Sequence, residues 1–545
     1  MPVINSDLDM QSSSMHIAGA ALLEYSSHGP ISIARDEDFA SQGWPGNGTM
    51  KNPYLIENLE IQCGSKTGVR IVNTQASFLV SNCMFTSTGG GMTFSFINIT
   101  NGRIENCTSS RCSWAISNSS QCRIASSTWS GFYQALIHGC TNCSFVGNYL
   151  SSNHWSGLVL DTCTTCQFAD NTVMGSVGSG VWSARSINCS IQRNELARNL
   201  VGITLLGCNG TFLSDNNIHD NSVYGVEIYA CGDTTLAENV LWNDGIVIHL
   251  WDWMGDGHYV SGRDFMTANY VFQNNAVNGK ALGFFRDLDG GNIDASSYGQ
   301  IILLSCSHVN IEHGSLNNTS VGVQILFSDN CAIRHITTAN CTTAGIWNEG
   351  FNDTIIADCI ISNNSRSGIY LQHSFHAMIT NNSISGSYIG LGLWYSGVSF
   401  VINNTMNSNE WGIEFYSTSD CLLVNNTVVH NVAGIYLYFE SNGNIIYGNT
   451  IGWNQWYNAN SEGGINQWDD GISQGNRWSD YDGTGIYWVN FDVDHFPEKL
   501  AEPSSSNGLA LIGIEILGGI LVVAAVALVY RMRLQPFLLS RSLRR

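Results

Sequence analysis

Over much of its length the chain alternates short apolar runs with short polar ones, and the alternation itself repeats. SGLVLD (156–161), SGVWSA (179–184), VGITLL (201–206) and YGVEIY (224–229) place Gly at 157, 180, 202 and 225. VGVQIL, AGIWNE, SGIYLQ, IGLGLW, WGIEFY and AGIYLY place it at 322, 345, 368, 390, 412 and 434, again in steps of 22 or 23. A second marker runs in phase, with an Asn-rich turn beside a strand-length run: CQFADNTV, INNTM, VNNTVV, YGNTI. One repeat therefore reads as Asn-rich turn, short strand, Ser/Asn turn, Gly, short strand. Within WGIEFY a period of two sends Ile413 and Phe415 inward, Glu414 and Tyr416 outward.

Short strands at this period, with only 7 Pro, predict an all-β fold: a right-handed parallel β-helix of about 15 coils of 22–23 residues over 29–497. A leucine-rich repeat has a similar period but needs a Leu/Asn consensus and usually a helix, and neither is present. Earlier coils fit more loosely, near Gly68, Gly91, Ala115 and Ala135, with another near Gly245. Stacking puts like residue on like, giving aliphatic ladders inside and Asn ladders at the turns. An open stack end is a template for further strands, so both ends need caps; residues 29–62 and 475–497 are expected to supply them. Between Gly245 and Gln300 there are 55 residues where one coil takes 22, which reads as an insertion of about 30 within 246–299 of a single rod.

The chain ends differ from this body. Residues 509–530 are apolar but for Glu515, long enough to cross a bilayer as a helix, and the tail 531–545 carries five Arg and no acid. The positive-inside rule places the tail in the cytoplasm and the body outside, a single-pass cell-surface protein with 498–508 as linker. A tail-anchored protein facing the cytoplasm is the competing arrangement. Residues 1–28 read as a leader or disordered segment. HIAGAALLEY (16–25) is too short for a secretory signal, so a misplaced start, a removed leader and unconventional export all stay open.

Only 12% of residues are charged, against 44% hydrophobic and 11% aromatic, which excludes disorder. A net charge of −21 excludes a basic nucleic-acid binder.

NPYLIENLEIQ after GWPGNGT, the NNT series with GIYL, NGKALGFF followed by GQIILLSCSHVNIEHGSL, and the closing GNRWSDY with VDHFP carry a family resemblance. Together they resemble the archaeal surface β-helix proteins related to NosD, the periplasmic factor for nitrous-oxide reductase maturation, over most of 29–497. The resemblance implies the β-helix, with repeats of the carbohydrate-binding and sugar-hydrolase type. It also implies a copper-linked role beside an ABC transporter, although a C-terminal membrane anchor departs from the NosD pattern.

Candidate chemistry falls in several groups. The 17 Cys include Cys140/Cys143 and Cys163/Cys166 at zinc-like spacing. Yet Cys122, Cys143, Cys166 and Cys189 recur every 21 to 23 residues, as a ladder of buried thiols would, with Cys306, Cys331 and Cys421 in equivalent places. Metal or disulfide roles stay open. His249, Asp252, Asp256 and His258 offer imidazole and carboxylate for Zn or Cu, or make an ordinary polar loop. His308/His313 and His373/His376 are weaker metal pairs. Asp480, Asp482, Asp492 and Asp494 could hold Ca or form cap turns.

The sharper candidate is an outward face. Two residues after each Gly stand Trp347, Tyr370, Gly392, Glu414 and Tyr436; four after stand Glu349, Gln372, Trp394, Tyr416 and Tyr438. Rings beside carboxylates and amides suit a polysaccharide, whose C–H faces stack on rings while hydroxyls bond polar groups; stabilising surface ladders are the alternative. Catalysis has less support. There are four Lys, the body outside the tail and span carries −25, and Asp469 and Asp470 are adjacent, so they point apart on a strand. N-x-S/T sequons, among them Asn47, Asn98, Asn209, Asn317 and Asn425, suit a glycosylated surface or simply the turns. The sequence thus predicts a membrane-anchored surface rod that binds glycan or other surface proteins. A copper-handling factor and a polysaccharide lyase or hydrolase are the alternatives.

Overall fold

The computed structural model describes residues 25–87, 91–131, 134–249, 269–462 and 464–501. The apolar segment 509–530, the basic tail, the linker from 502 on and residues 1–24 lie outside them. Among the described residues no helix is long and apolar enough to cross a membrane.

Successive coils pair in parallel, as the repeat predicts. Ten strands from Ile31–Ile33 to Ile246–His249 build one sheet, ten from Tyr54–Glu57 to Val271–Gln273 build a second, and a twenty-stranded sheet supplies a third wall. The whole is a β-solenoid of about eighteen turns rather than fifteen. The count falls short because Ile31–Ile33 lies in the expected entry cap, Lys280–Arg286 and Tyr298–Leu304 at the expected insertion, and Tyr457–Ser461 beyond the last marker glycine.

The markers have separate physical causes. In Asn403-Asn404-Thr405 the first Asn takes the left-handed turn (φ 56°), which Asn tolerates better than most residues. The second turns its amide inward. Asn382, Asn404, Asn426, Asn449 and Asn476 form a buried ladder, each Nδ2 donating to the next Oδ1 at 2.9–3.1 Å. The repeat glycines, in contrast, are needed for close approach. A Cβ on Gly412 would lie 2.6 Å from Val428 Cγ1 and 2.7 Å from the Gly434 carbonyl oxygen of the next coil. All seventeen cysteines are buried and free. Most of their Sγ atoms face a carbonyl of the preceding coil, as Cys189 does toward Cys163 O at 3.7 Å, and this placement fits the core-ladder reading.

Both ends are closed. Helix Glu37–Ser41 lays Phe39 over the first core, stacked on Tyr54 at 4.6 Å. At the other end Trp478 is fully buried, donates to Asp494 at 2.9 Å and stacks on Tyr487 at 4.1 Å. Asp482 accepts the turn amide of Thr484 at 2.8 Å, so these aspartates do the work of a cap.

The expected single rod is in fact two stacks. At Ala276–Val277 the chain turns back antiparallel onto Lys280–Arg286. From there the long sheet continues as the glycine-bearing wall of a second stack. Strand Tyr298–Leu304 is buried on both faces: Ile301 and Leu303 enter the second core, while Ile302 and Leu304 plug the end of the first. Among the described residues the outer edge of Ile246–His249 pairs with no further strand. Gln300 and Gln324 cap it instead, their Oε1 atoms accepting from Ile246 N (2.9 Å) and Ile248 N (3.2 Å). Their Nε2 atoms donate to the two carbonyls at 2.6 and 2.8 Å. Each side-chain amide stands in for a peptide unit. The break at 246–299 is therefore a junction, and the sheet that crosses it faces one core on each side.

Candidate functional site

The register of the second stack aligns both columns read from the sequence. Trp347, Tyr370, Gly392, Glu414 and Tyr436 are paired in order, and so are Glu349, Gln372, Trp394, Tyr416 and Tyr438. Their rings touch from coil to coil: Trp347–Tyr370 at 5.7 Å, Tyr370–Trp394 at 5.5 Å, Trp394–Tyr416 at 5.4 Å, Tyr416–Tyr438 at 5.0 Å. These contacts are edge-on or tilted; Tyr436 and Tyr438 lie flat on each other at 4.5 Å.

Glu414 is the polar centre of this face. It is mostly buried, and its two oxygens accept from Trp394 Nε1 and Tyr438 OH, each at 3.1 Å. Burial raises its carboxyl above the usual range, against the lowering effect of those two hydrogen bonds. Tyr370 OH donates to Gln372 at 3.1 Å, and Tyr436 OH to Glu462 at 3.0 Å.

The face is not flat throughout, as the columns alone suggested. Trp347, Tyr370 and Glu349 are buried because the outer side of the first stack leans on them. Val201, Tyr224 and Val247 pack against Val321, Ala344, Trp347 and Tyr370, and Thr342 Oγ1 donates to the Val223 carbonyl. The more accessible part runs from Trp394 and Gln372 to Tyr416, Tyr436 and Tyr438.

Two further columns were missed. The strand-opening position brings Trp411 onto Tyr436 at 5.1 Å, with Tyr457 in the same column two coils beyond Trp411. Five residues after the glycines, at left-handed φ, stand His373, Tyr395 and Phe439. Tyr395 stacks on His373 at 5.1 Å and Phe439 on Tyr416 at 4.8 Å. Both were detectable as aromatics recurring in phase with the glycine. Across the turn a groove of about 550 Å³ is lined in part by Tyr388, Glu410, His430 and Trp453.

Of the metal candidates, Asp252, Asp256 and His258 lie outside the described residues. His249 ends the last strand of the ten-stranded sheet that begins at Ile31–Ile33, its Nε2 3.2 Å from Glu227 and its ring stacked on Tyr229 at 4.0 Å. Among the described residues no three His, Cys, Asp or Glu side chains gather as metal ligands would. Asn47, Asn98, Asn209 and Asn425 are exposed; Asn317 is half-buried.

No curated protein matches the sequence. Among solved structures the chain is similar to a double mutant of the periplasmic alginate epimerase AlgG, at 12% identity over 65% of this chain and 85% of that one, TM-score 0.30. It is also similar to a mutant DFA-IIIase from Arthrobacter chlorophenolicus A6 in complex with DFA-III (10%, 69% and 93%, TM-score 0.31). A third is the AlgE4 A-module, a mannuronan C-5 epimerase of Azotobacter vinelandii (12%, 75% and 99%, TM-score 0.24). Residues 42–182 and 130–284 match the right handed beta helix region, and 273–483 match the periplasmic copper-binding protein family NosD. The change from one match to the other falls at the junction, and together they support a right-handed β-helix chain whose second stack is NosD-like.

Proposed function

We propose that this protein is a surface-exposed, membrane-anchored β-helix that binds polysaccharide along the second stack. The observation that carries the reading is the unbroken series of ring contacts from Trp347 to Tyr438, with the Glu414 carboxylate fixed between Trp394 and Tyr438. Each coil advances the column by about 4.8 Å, close to one sugar ring, so rings and polar groups recur at the spacing of an extended glycan. Apolar sugar faces would cover the rings of Trp394, Tyr416 and Tyr438, and hydroxyls would bond Gln372 and Glu414. The anchor at 509–530 would hold this face outside the cell.

The NosD match favours copper handling as a second reading. The side chains fit it less well: within 273–483 the five cysteines are buried in the core, and no ligand group of three assembles among the described residues.

The full-length protein on a polysaccharide array tests the proposal. At least one glycan should bind, and Trp394→Ala with Tyr438→Ala should weaken it about thirtyfold, at about 1 kcal/mol per ring. Binding that ignores both substitutions, or a silent array, would sink it.

A further inference from the structure

The far end of the second stack carries apolar side chains that its own core does not use. After Trp478 the chain forms a small antiparallel hairpin, Tyr487–Val489 onto Asp492–Asp494. Its inner face closes the core. Val489 is buried there, Tyr487 lies on Trp478 at 4.1 Å, and Asp494 accepts from Trp478 Nε1 at 2.9 Å and Asn476 N at 2.7 Å. Asp492 accepts from Trp468 Nε1 at 3.4 Å and Ser461 Oγ at 2.5 Å. The period of two then sends Trp488 outward, beside its cross-strand partner Val493. Phe491, at the tip, is 91% exposed and Trp488 64%, and Ile486 and Phe496 are exposed on either side. Large apolar side chains are thus displayed on a hairpin that is pinned from behind.

The chain leaves from this same end. Its last described strand, Glu498–Lys499, pairs with Arg477–Trp478 and is the final strand of its sheet. Eight residue steps lead from Ala501 to Leu509, where the apolar segment begins. Even fully extended they reach at most about 29 Å. With 509–530 in a bilayer, the hairpin is held within reach of the membrane surface. Exposed apolar groups gathered at one place mark a contact surface, and aromatic rings are favoured at the level of lipid headgroups. The −21 charge of the chain opposes anionic lipid, so the fitting surface is zwitterionic.

We propose that the outer face of this hairpin, with Trp488 and Phe491 foremost, docks into the headgroup layer of the membrane that 509–530 enters. The β-helix then stands on the bilayer at a fixed attitude instead of swinging on its linker. This rests on the membrane-anchored reading above.

The full-length protein reconstituted into phosphatidylcholine vesicles tests the proposal. An environment-sensitive fluorophore is attached through Phe491→Cys or, as a control, through Met50→Cys in the cap at the opposite end of the twenty-stranded sheet. All seventeen native thiols are buried, so the introduced one takes the label. Phosphatidylcholine spin-labelled near its headgroup should dim the Phe491→Cys label at least about twofold and leave the Met50→Cys label unchanged. Adding Trp488→Ser should relieve most of that dimming while the protein still floats with the vesicles. Dimming that ignores Trp488→Ser would mean that the tether alone brings this end close, and would overturn the inference. So would a Phe491→Cys label open to aqueous iodide, or one shielded from iodide yet untouched by spin-labelled lipid, which would show protein covering the hairpin. Each of these leaves the anchor standing. If the protein does not float with the vesicles at all, the inference and the anchor both fall.

Discussion

Glu349 ties stability to pH in a direction that can be stated. In the unfolded chain its carboxyl titrates near the ordinary value of about 4.3; in the folded protein burial moves it to about 8. The folded state therefore binds the proton more tightly. The stability it contributes is complete below about pH 4 and is lost as pH rises through about 8. Glu349→Gln cannot ionise, so its melting temperature should exceed that of the parent near pH 9 and the gap should close toward pH 5. A gap that is constant across this range would mean that Glu349 is not held neutral. The asparagine pair gives a second test. Asn404 makes three amide donations and accepts two hydrogen bonds. Asn404→Ala would leave buried partners unpaired and should cost about 2–4 kcal/mol in urea unfolding. Its neighbour Asn403, at φ 56°, serves only the turn. Asn403→Gly should stay within about 0.5 kcal/mol of the parent. Equal costs at the two positions would contradict the division of roles within the NNT marker.

At the scale of the strand, the period of two and the recurrence every 22 or 23 residues were enough to read register from sequence, and both outward columns align as read. They were legible because a solenoid converts sequence spacing directly into stacking. The glycine within each marker is equally constrained. Gly412→Val would drive its side chain into Val428 and the next coil's backbone and should cost at least about 2 kcal/mol, with the loss concentrated in the second stack. Hydrogen exchange resolved by segment would show it, and a tolerated Val would argue that the coils are spaced more widely than this. The burial of Glu349 and Trp347 was not legible, because it depends on which strand of another stack lies opposite. One clue did exist. GQIILL lacks the polar alternation of GIEFY, and an uninterrupted apolar run marks a strand buried on both faces.

The whole molecule follows from a change of chemistry along one column. Ile302, Gln324, Trp347, Tyr370, Gly392, Glu414 and Tyr436 are paired in that order across the sheet. The first plugs the neighbouring core, the second caps its open edge, the next two fill the corner, and the last two lie on the proposed glycan face. Distance from the junction sets each role, so the junction is where the two stacks can be uncoupled. Replacing Gln300 and Gln324 together by Leu removes four hydrogen bonds to Ile246 and Ile248, leaving buried backbone groups unpaired at about 1–3 kcal/mol each. Leucine is close in size, so the plug itself should persist. The parent should melt in one transition, because each stack needs the other's surface to close its core. The double variant should show two transitions, with the first stack melting earlier and the amides of Ile246 and Ile248 exchanging fastest. A single unshifted transition, with those amides still protected, would mean that apolar contact alone joins the stacks and that the glutamines are incidental.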